Sequence, residues 1–206
     1  MSKLTSLFGK SWPVIALISL SAILLYYANL DSLLAYRRNE IGLGEYWRLF
    51  TGNLLHTNVW HLVMNLAGLW VIMLLHQQYY RSVGFSFLFV ALCGLQGIGL
   101  YLFYPGLLGY VGLSGMLHGL FTYGALKDIS VGMRSGYLLL IGVIVKVGYE
   151  QWFGASEQVT EMIGARVATE AHLIGVVTGI ILFTCVTLYQ TYLSSFFSKK
   201  GHKKAE

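Results

Sequence analysis

The sequence has few charged residues, two cysteines and two aspartates. Asp, Glu, Lys and Arg make up 11% of its 206 residues, whereas soluble domains use about 25%. The net charge of +5 comes from basic residues that flank apolar segments rather than forming one patch, which argues against a nucleic-acid partner. Cys93 and Cys185 both lie inside apolar runs, so no disulfide framework or metal-ligand spacing follows from them.

The sequence also lacks the residues that several other kinds of membrane protein need for their chemistry. There is no His-Glu-x-x-His sequence, the helix motif of zinc proteases. Asp31 and Asp128 are expected in connections on opposite sides of the membrane, which excludes an aspartyl pair. A histidine-lined metal transporter would want deep carboxylate or thiolate ligands, and none are evident. We therefore expect no metal and no cofactor.

Apolar residues, in contrast, are abundant: 56% of the chain, with a mean hydropathy of +0.63. They form six segments that approach the roughly 20 residues needed to cross a bilayer. The first lacks a clear cleavage site and is expected to be a retained helix. The sequence predicts an all-α membrane protein, a bundle of six transmembrane helices formed by residues 1–195, with a basic cytoplasmic tail at 196–206. The segments are 12–30, 58–76, 83–103, 112–126, 135–149 and 167–190.

The basic residues predict the orientation of these spans. Six crossings place nine Lys and Arg residues on one side and four, with seven acids, on the other. Both termini are therefore expected in the cytoplasm. The second, fourth and sixth spans then run inward from the outer surface. His61 and Asn65, Ser114, and His172 lie early in these three spans, so we expect them at one shallow depth, in a cavity open to outside water.

Ser114 and His172 are the residue types of a nucleophile and its general base. Gly112 and Gly115 flank the serine and permit a tight turn, and free backbone amides at a helix N-terminus favour developing negative charge. The alternative is a small-residue packing site. Glu170 is two residues from His172 and should point elsewhere, so we expect a Ser-His dyad without a third acidic member.

Other polar residues have candidate supporting roles. His61 and Asn65 share a helix face and can donate hydrogen bonds to an oxyanion, together with Ser114; an interhelical polar clamp is the alternative. His56 precedes the helix, where bracing a loop is as reasonable as catalysis. His118 lies one turn after Ser114, where it could pack on His172, hydrogen-bond to it, or compete as the base; we expect a supporting role.

A further pair of charged residues is given a structural interpretation. Lys146 lies within the fifth span, and Glu150 follows it by one helical turn. The two charges are expected to neutralise each other near the outer surface, without a part in the chemistry.

At these residues the chain resembles the rhomboid family of intramembrane serine proteases. The resemblance implies Ser114 as the nucleophile, His172 as the base, His61 and Asn65 near the oxyanion, and a fifth helix that moves to admit substrate. It covers most of the six-helix core. The segments that carry it are Glu45-Tyr46-Trp47-Arg48-Leu49-Phe50-Thr51, the set His56, His61 and Asn65, Gly112-Leu113-Ser114-Gly115, and Ala171-His172-Leu173-Ile174-Gly175.

One departure refines the resemblance. Rhomboids often carry tyrosine at the position of His118, whereas Gly-x-Ser-Gly-x-x-His-Gly is similar to the rhombosortase branch. That likeness implies substrates in the bacterial inner membrane that end in a Gly-Gly motif, an apolar helix and a basic tail, cut at the extracytoplasmic face. The partners would be such membrane-anchored proteins within the lipid bilayer. A general rhomboid protease with broader substrates and a non-catalytic, client-binding relative are the alternatives.

Overall fold

The computed structural model describes residues 11–202, and the side chains of residues 11–196. Within this range six long helices form a bundle, and shorter helices lie mainly in the connections. The α-helices are α1 (Trp12–Ala28), α2 (Asp31–Leu34), α3 (Arg38–Gly42), α4 (Arg48–Thr51), α5 (Val59–His76), α6 (Ser82–Phe103), α7 (Ser114–Ser130), α8 (Ser135–Phe153), α9 (Glu157–Ile163) and α10 (Thr169–His202). Two 3₁₀ turns, Gly52–Leu54 and Gln77–Tyr79, and two strands, β1 (Tyr36–Arg37) and β2 (Gly109–Tyr110), complete the chain order.

Each of the six apolar segments coincides with a long helix, but membrane crossing is less uniform. Three helical stretches are long and apolar enough to cross alone: Val59–Tyr79, Ser82–Phe103 and Thr169–Phe196. A fourth span results if α8 and α9, which meet at 86°, are taken together. The helices α1 and α7 have 17 residues each, slightly short for a bilayer core. The protein is thus a helical membrane protein, and six crossings stay a prediction.

The predicted orientation rests on basic residues near both chain ends, and the structure describes few of these. Helix α10 continues to His202, so the backbone of the predicted tail at 196–206 is helical as far as it is described. Lys3 and Lys10, and the side chains of the four tail lysines, lie outside the described residues. The cytoplasmic placement of both termini therefore stays a prediction.

Helix α7 lies at the centre of the bundle, and glycines let α10 approach it closely. A Cβ built on Gly175 would lie 1.9 Å from the carbonyl oxygen of Gly115, and one on Gly179 would lie 2.4 Å from that of Gly119. Only glycine fits such a backbone contact, which is typical of membrane helix pairs. This packing brings the N-terminal ends of α7 and α10 side by side.

The connection between α1 and α5 folds around a buried arginine. Arg48, 3% exposed, bonds to Glu45 at 2.6 Å and to the carbonyl oxygens of Ala35 and Ser32 at 2.9 Å each. These bonds satisfy the buried guanidinium charge. They also hold the segment that carries β1.

A short antiparallel sheet joins this connection to the segment that precedes α7. Tyr36 pairs with Tyr110, and Arg37 pairs with Gly109. The amide of Gly112 donates to the carbonyl oxygen of Gly52 at 3.0 Å. The two strands are the described exception to the all-α prediction, and they fix the turn that leads into Ser114.

At the other end of α7 a buried polar cluster corrects one expectation. Asp128 was expected in a connection, but it lies in the last turns of α7 and is 3% exposed. The hydroxyl of Tyr79 donates to Asp128 Oδ1 at 2.6 Å, and His76 Nε2 lies 3.4 Å from Oδ2. The hydropathy of the sequence ends the fourth span before Asp128, because a carboxylate is unfavourable in apolar surroundings. In the fold, Tyr79 and His76 are the partners that make its burial possible.

Candidate active site

Ser114 and His172 meet at the adjoining ends of α7 and α10. Their Oγ and Nε2 atoms are 3.0 Å apart, within hydrogen-bond distance. Ser114 is the first residue of α7, where backbone amides have no helical acceptor. His172 lies in the first turn of α10 and is buried. The two side chains thus have the relative position that proton transfer between a hydroxyl and an imidazole requires.

The expectation that no acid contacts the histidine is wrong. Glu150 Oε2, on α8, lies 2.8 Å from His172 Nδ1. A carboxylate only accepts a hydrogen bond, so Nδ1–H donates to Glu150 and leaves the Nε2 lone pair facing Ser114. Spacing along α8 pairs Glu150 with Lys146, and that pair exists, at 2.9 Å. The contact with His172 depends on how α8 packs on α10, which the spacing does not reveal.

Lys146 is part of the same cluster rather than a separate surface pair. Besides Glu150, its Nζ lies 2.7 Å from His118 Nε2 and 3.4 Å from His172 Nδ1. Ligand atoms of His118, Glu150 and His172 all lie within 4.8 Å of one another, a spacing that a metal ion would need. The ammonium group of Lys146 contacts all three residues, so in this arrangement the chain itself supplies the cation.

Of the possibilities for His118, the structure shows packing: its ring stacks on that of His172, with centroids 4.0 Å apart and planes inclined by 20°. His118 Nδ1 lies 2.7 Å from the carbonyl oxygen of Ser114. A carbonyl only accepts, so Nδ1 carries the hydrogen and Nε2 accepts from Lys146. Both nitrogens of His118 are therefore engaged, and the ring serves as a wall beside His172.

Two candidate oxyanion donors face the turn before Ser114. A Cβ on Gly112, whose φ is +126°, would lie 2.7 Å from His61 Nε2 and 3.6 Å from Asn65 Nδ2. Asn65 Nδ2 is buried and has no hydrogen-bond partner. A buried donor without a partner is uncommon and calls for an explanation. The glycine is required both by its backbone conformation and by this close approach.

Two other predicted residues, Gly115 and His56, lie beside the groups described above. Gly115 leaves no room for a side chain, since a Cβ would lie 2.6 Å from Gln96 Nε2 and 2.8 Å from the carbonyl oxygen of Ala171. His56 contacts His61 edge to face, with centroids 5.0 Å apart. Burial lowers the pKa of His56 to about 3, so its ring is neutral near pH 7. This placement favours a bracing role for His56.

Ser114 lies where two cavities meet. One, of about 400 Å³, is lined by residues of β1, β2 and the loop that precedes α10, and by His61 and Arg166. The other, of about 390 Å³, lies between α5 and α8 and includes Asn65, His118 and Lys146 in a largely apolar wall. Ser114 therefore borders both a cavity of mixed polarity and a largely apolar one.

The sequence matches the Rhomboid domain family over residues 43–189, and the chain belongs to this family. It is also 31% identical, over 133 residues, to the Rhomboid protease GluP of Bacillus subtilis (strain 168). The match covers 59% of this chain and 25% of the relative, so the chain corresponds to about a quarter of that longer protein. It is thus a homologue of a rhomboid protease.

Proposed function

We propose that this protein is an intramembrane serine protease in which Ser114 is the nucleophile and His172 is the general base. The observation that carries the proposal is the 3.0 Å contact between Ser114 Oγ and His172 Nε2, in a chain that belongs to the rhomboid family. Ser114 Oγ attacks a peptide carbonyl carbon as its proton passes to Nε2. The carbonyl electron pair moves to oxygen, forming the tetrahedral oxyanion.

The oxyanion is stabilised by groups already in place. Asn65 Nδ2 is the strongest candidate because it is a neutral, buried donor without a partner; the backbone amide of Ser114 and the ring of His61 assist. Collapse of the intermediate breaks the C–N bond, and His172 gives its proton to the leaving amine. Water then attacks the acyl ester, again losing a proton to His172, and releases the carboxyl product and Ser114.

The substrates that fit best are membrane proteins with a transmembrane tail. The apolar cavity between α5 and α8 suits a helical segment arriving from lipid, while the cavity of mixed polarity, which His61 and Arg166 line, suits an unwound peptide. We propose C-terminal anchors with a Gly-Gly motif, an apolar helix and a basic tail as the substrate class. The support for this finer assignment is the Gly-x-Ser-Gly-x-x-His-Gly pattern, in which His118 packs on His172. Cleavage would occur at the extracytoplasmic face of a bacterial inner membrane.

Co-expression with an exported reporter that carries such an anchor tests the proposal. The full chain should shorten the reporter at its C-terminus, measured by intact mass, and Ser114→Ala or His172→Ala should leave the reporter uncut while folding normally. Normal cleavage by Ser114→Ala would refute the serine mechanism. A second reporter, with the Gly-Gly motif changed to Leu-Leu, separates the two substrate classes: equal cleavage of both reporters favours a general rhomboid protease.

A further inference from the structure

We propose that Glu150 is a positioning residue that holds His172 in its reactive tautomer against the opposing influence of Lys146. Ser114, His172 and Glu150 would then form a triad. This inference rests on the proposed function. The contact between Glu150 Oε2 and His172 Nδ1, at 2.8 Å, is shorter than that between His172 and Ser114. The carboxyl group is mostly buried, with its side chain 11% exposed.

The tautomer matters because His172 has two possible partners at Nδ1. Glu150 accepts a hydrogen bond there, which leaves Nε2 unprotonated and able to take the serine proton. The Lys146 ammonium, 3.4 Å from the same atom, only donates. If Lys146 alone faced Nδ1, the hydrogen of the neutral ring would move to Nε2, and the histidine could not act as a base. Glu150 thus decides between a competent and an incompetent histidine.

The charges support the same assignment. When His172 accepts the serine proton, it becomes a cation beside the ammonium of Lys146. A nearby carboxylate offsets this repulsion, and a carboxylate that orients a catalytic histidine is worth up to about 10⁴-fold in rate. Glu150 Oε1 binds Lys146 at 2.9 Å while Oε2 binds His172, so one carboxylate holds both cations. Lys146 in turn donates to His118 Nε2, which fixes the ring that stacks on His172.

These contacts tie the catalytic histidine to α8. Ser114 and His172 belong to α7 and α10, but Glu150 and Lys146 both belong to α8, one turn apart. A displacement of α8 away from α10 would therefore remove the carboxylate from His172 without separating the serine from the histidine. The triad is complete only when α8 is packed against the rest of the bundle.

Labelling with a fluorophosphonate measures this effect without a known substrate. The reagent forms a bond between Ser114 Oγ and phosphorus with loss of fluoride, as the serine proton passes to His172. In the detergent-solubilised chain, Glu150→Ala should slow labelling at least about 100-fold, and Glu150→Gln, which keeps the shape but not the charge, by about tenfold or more. Glu170→Gln is the matched control: it removes a carboxylate two residues from His172 that pairs with Arg166, and it should label at the wild-type rate.

A double variant separates this role from a structural ion pair. Because Lys146 imposes the wrong tautomer once Glu150 is absent, the Lys146→Met/Glu150→Ala protein should label about tenfold faster than Glu150→Ala. A purely structural salt bridge predicts no such rescue, since both proteins lack the bridge. Labelling of Glu150→Ala within about threefold of wild type, or a double variant no faster than the single one, would overturn the proposal.

The ¹⁵N resonances of His172 provide a readout that needs no reaction. In the wild type, with the ring neutral, Nδ1 should have the chemical shift of a protonated nitrogen and Nε2 that of an unprotonated one. In Glu150→Ala the assignment should be reversed, with Nε2 protonated and Nδ1 unprotonated. A wild-type Nε2–H tautomer would refute the role of Glu150 even if Ser114 is the nucleophile. Conversely, absence of Ser114 labelling in a folded wild type with the expected tautomer would refute the proposed function and leave the positioning contact intact.

Discussion

The imidazole rings of His118 and His172 lie nearly parallel, with their centroids 4.0 Å apart. His172 is therefore restrained on three sides: Ser114 contacts one nitrogen, Glu150 contacts the other, and His118 covers a face. His118 is itself fixed by the Ser114 carbonyl oxygen and by Lys146. Orientation of the proposed general base is thus shared among residues of two helices, α7 and α8.

Loss of the stacked ring should weaken activity without removing it. We expect His118→Ala to slow fluorophosphonate labelling about two- to tenfold, because aromatic pairs contribute about 0.5–1.5 kcal/mol and the bonds of His172 to Ser114 and Glu150 remain. His118→Phe keeps the ring and should retain more activity than His118→Ala. Complete loss in a folded His118→Ala protein would contradict this view and assign His118 a direct catalytic role.

Asn65 should show opposite effects on activity and stability. Replacing it with leucine removes the proposed oxyanion donor, and loss of such a donor typically lowers the rate about 10²–10³-fold. The same change removes a buried amide nitrogen that lacks a partner, so thermal stability should be equal or higher. The measurements are the labelling rate and the Tm of the same preparation. A fall in Tm with an unchanged labelling rate would instead identify Asn65 as an interhelical clamp.

The contact between α7 and α10 should tolerate no side chain at Gly175. In Gly175→Ala the new Cβ would lie 1.9 Å from the Gly115 carbonyl oxygen, and relieving this clash must separate the two helices. We expect a lower Tm, a loss of at least about 1–3 kcal/mol in unfolding free energy, and reduced labelling. Gly94→Ala is the control, since a Cβ on Gly94 of α6 meets nothing within 4 Å; its Tm should be unchanged or raised. Equal Tm values for the two variants would contradict the packing described here.

The sequence predicts the helices and the central pair of this site because both depend on local patterns. Apolar run length marks the long helices, and the expected match in depth between Ser114 and His172 follows from the predicted order of crossings. The role of Glu150 could not be predicted in this way. In the sequence, Lys146 lies one helical turn from Glu150 and already provides a partner for its charge. The other partner, His172, lies 22 residues after Glu150 and contacts it only because α8 packs on α10.

Span ends were harder to predict for the same reason. Asp128 stops an apolar run in the sequence, but α7 continues through it because Tyr79 and His76 supply buried partners. Hydropathy registers the charge and not its partners, which come from the end of α5 and the turn that follows. The sequence also gives no local signal for the β1–β2 pair, which has two residues in each strand.

The Tyr79–Asp128 bond should stabilise the protein without affecting catalysis. Tyr79→Phe removes a 2.6 Å bond to a carboxylate buried near the C-terminal end of α7, whereas Ser114 begins that helix. Bonds to charged groups contribute about 1.5–3 kcal/mol, so we expect a lower Tm and an unchanged labelling rate at temperatures where the variant is folded. Tyr27→Phe is the control, because Tyr27 is 71% exposed and should keep the wild-type Tm. A slower labelling rate in folded Tyr79→Phe would mean that the cluster at the far end of α7 is coupled to Ser114 along the helix.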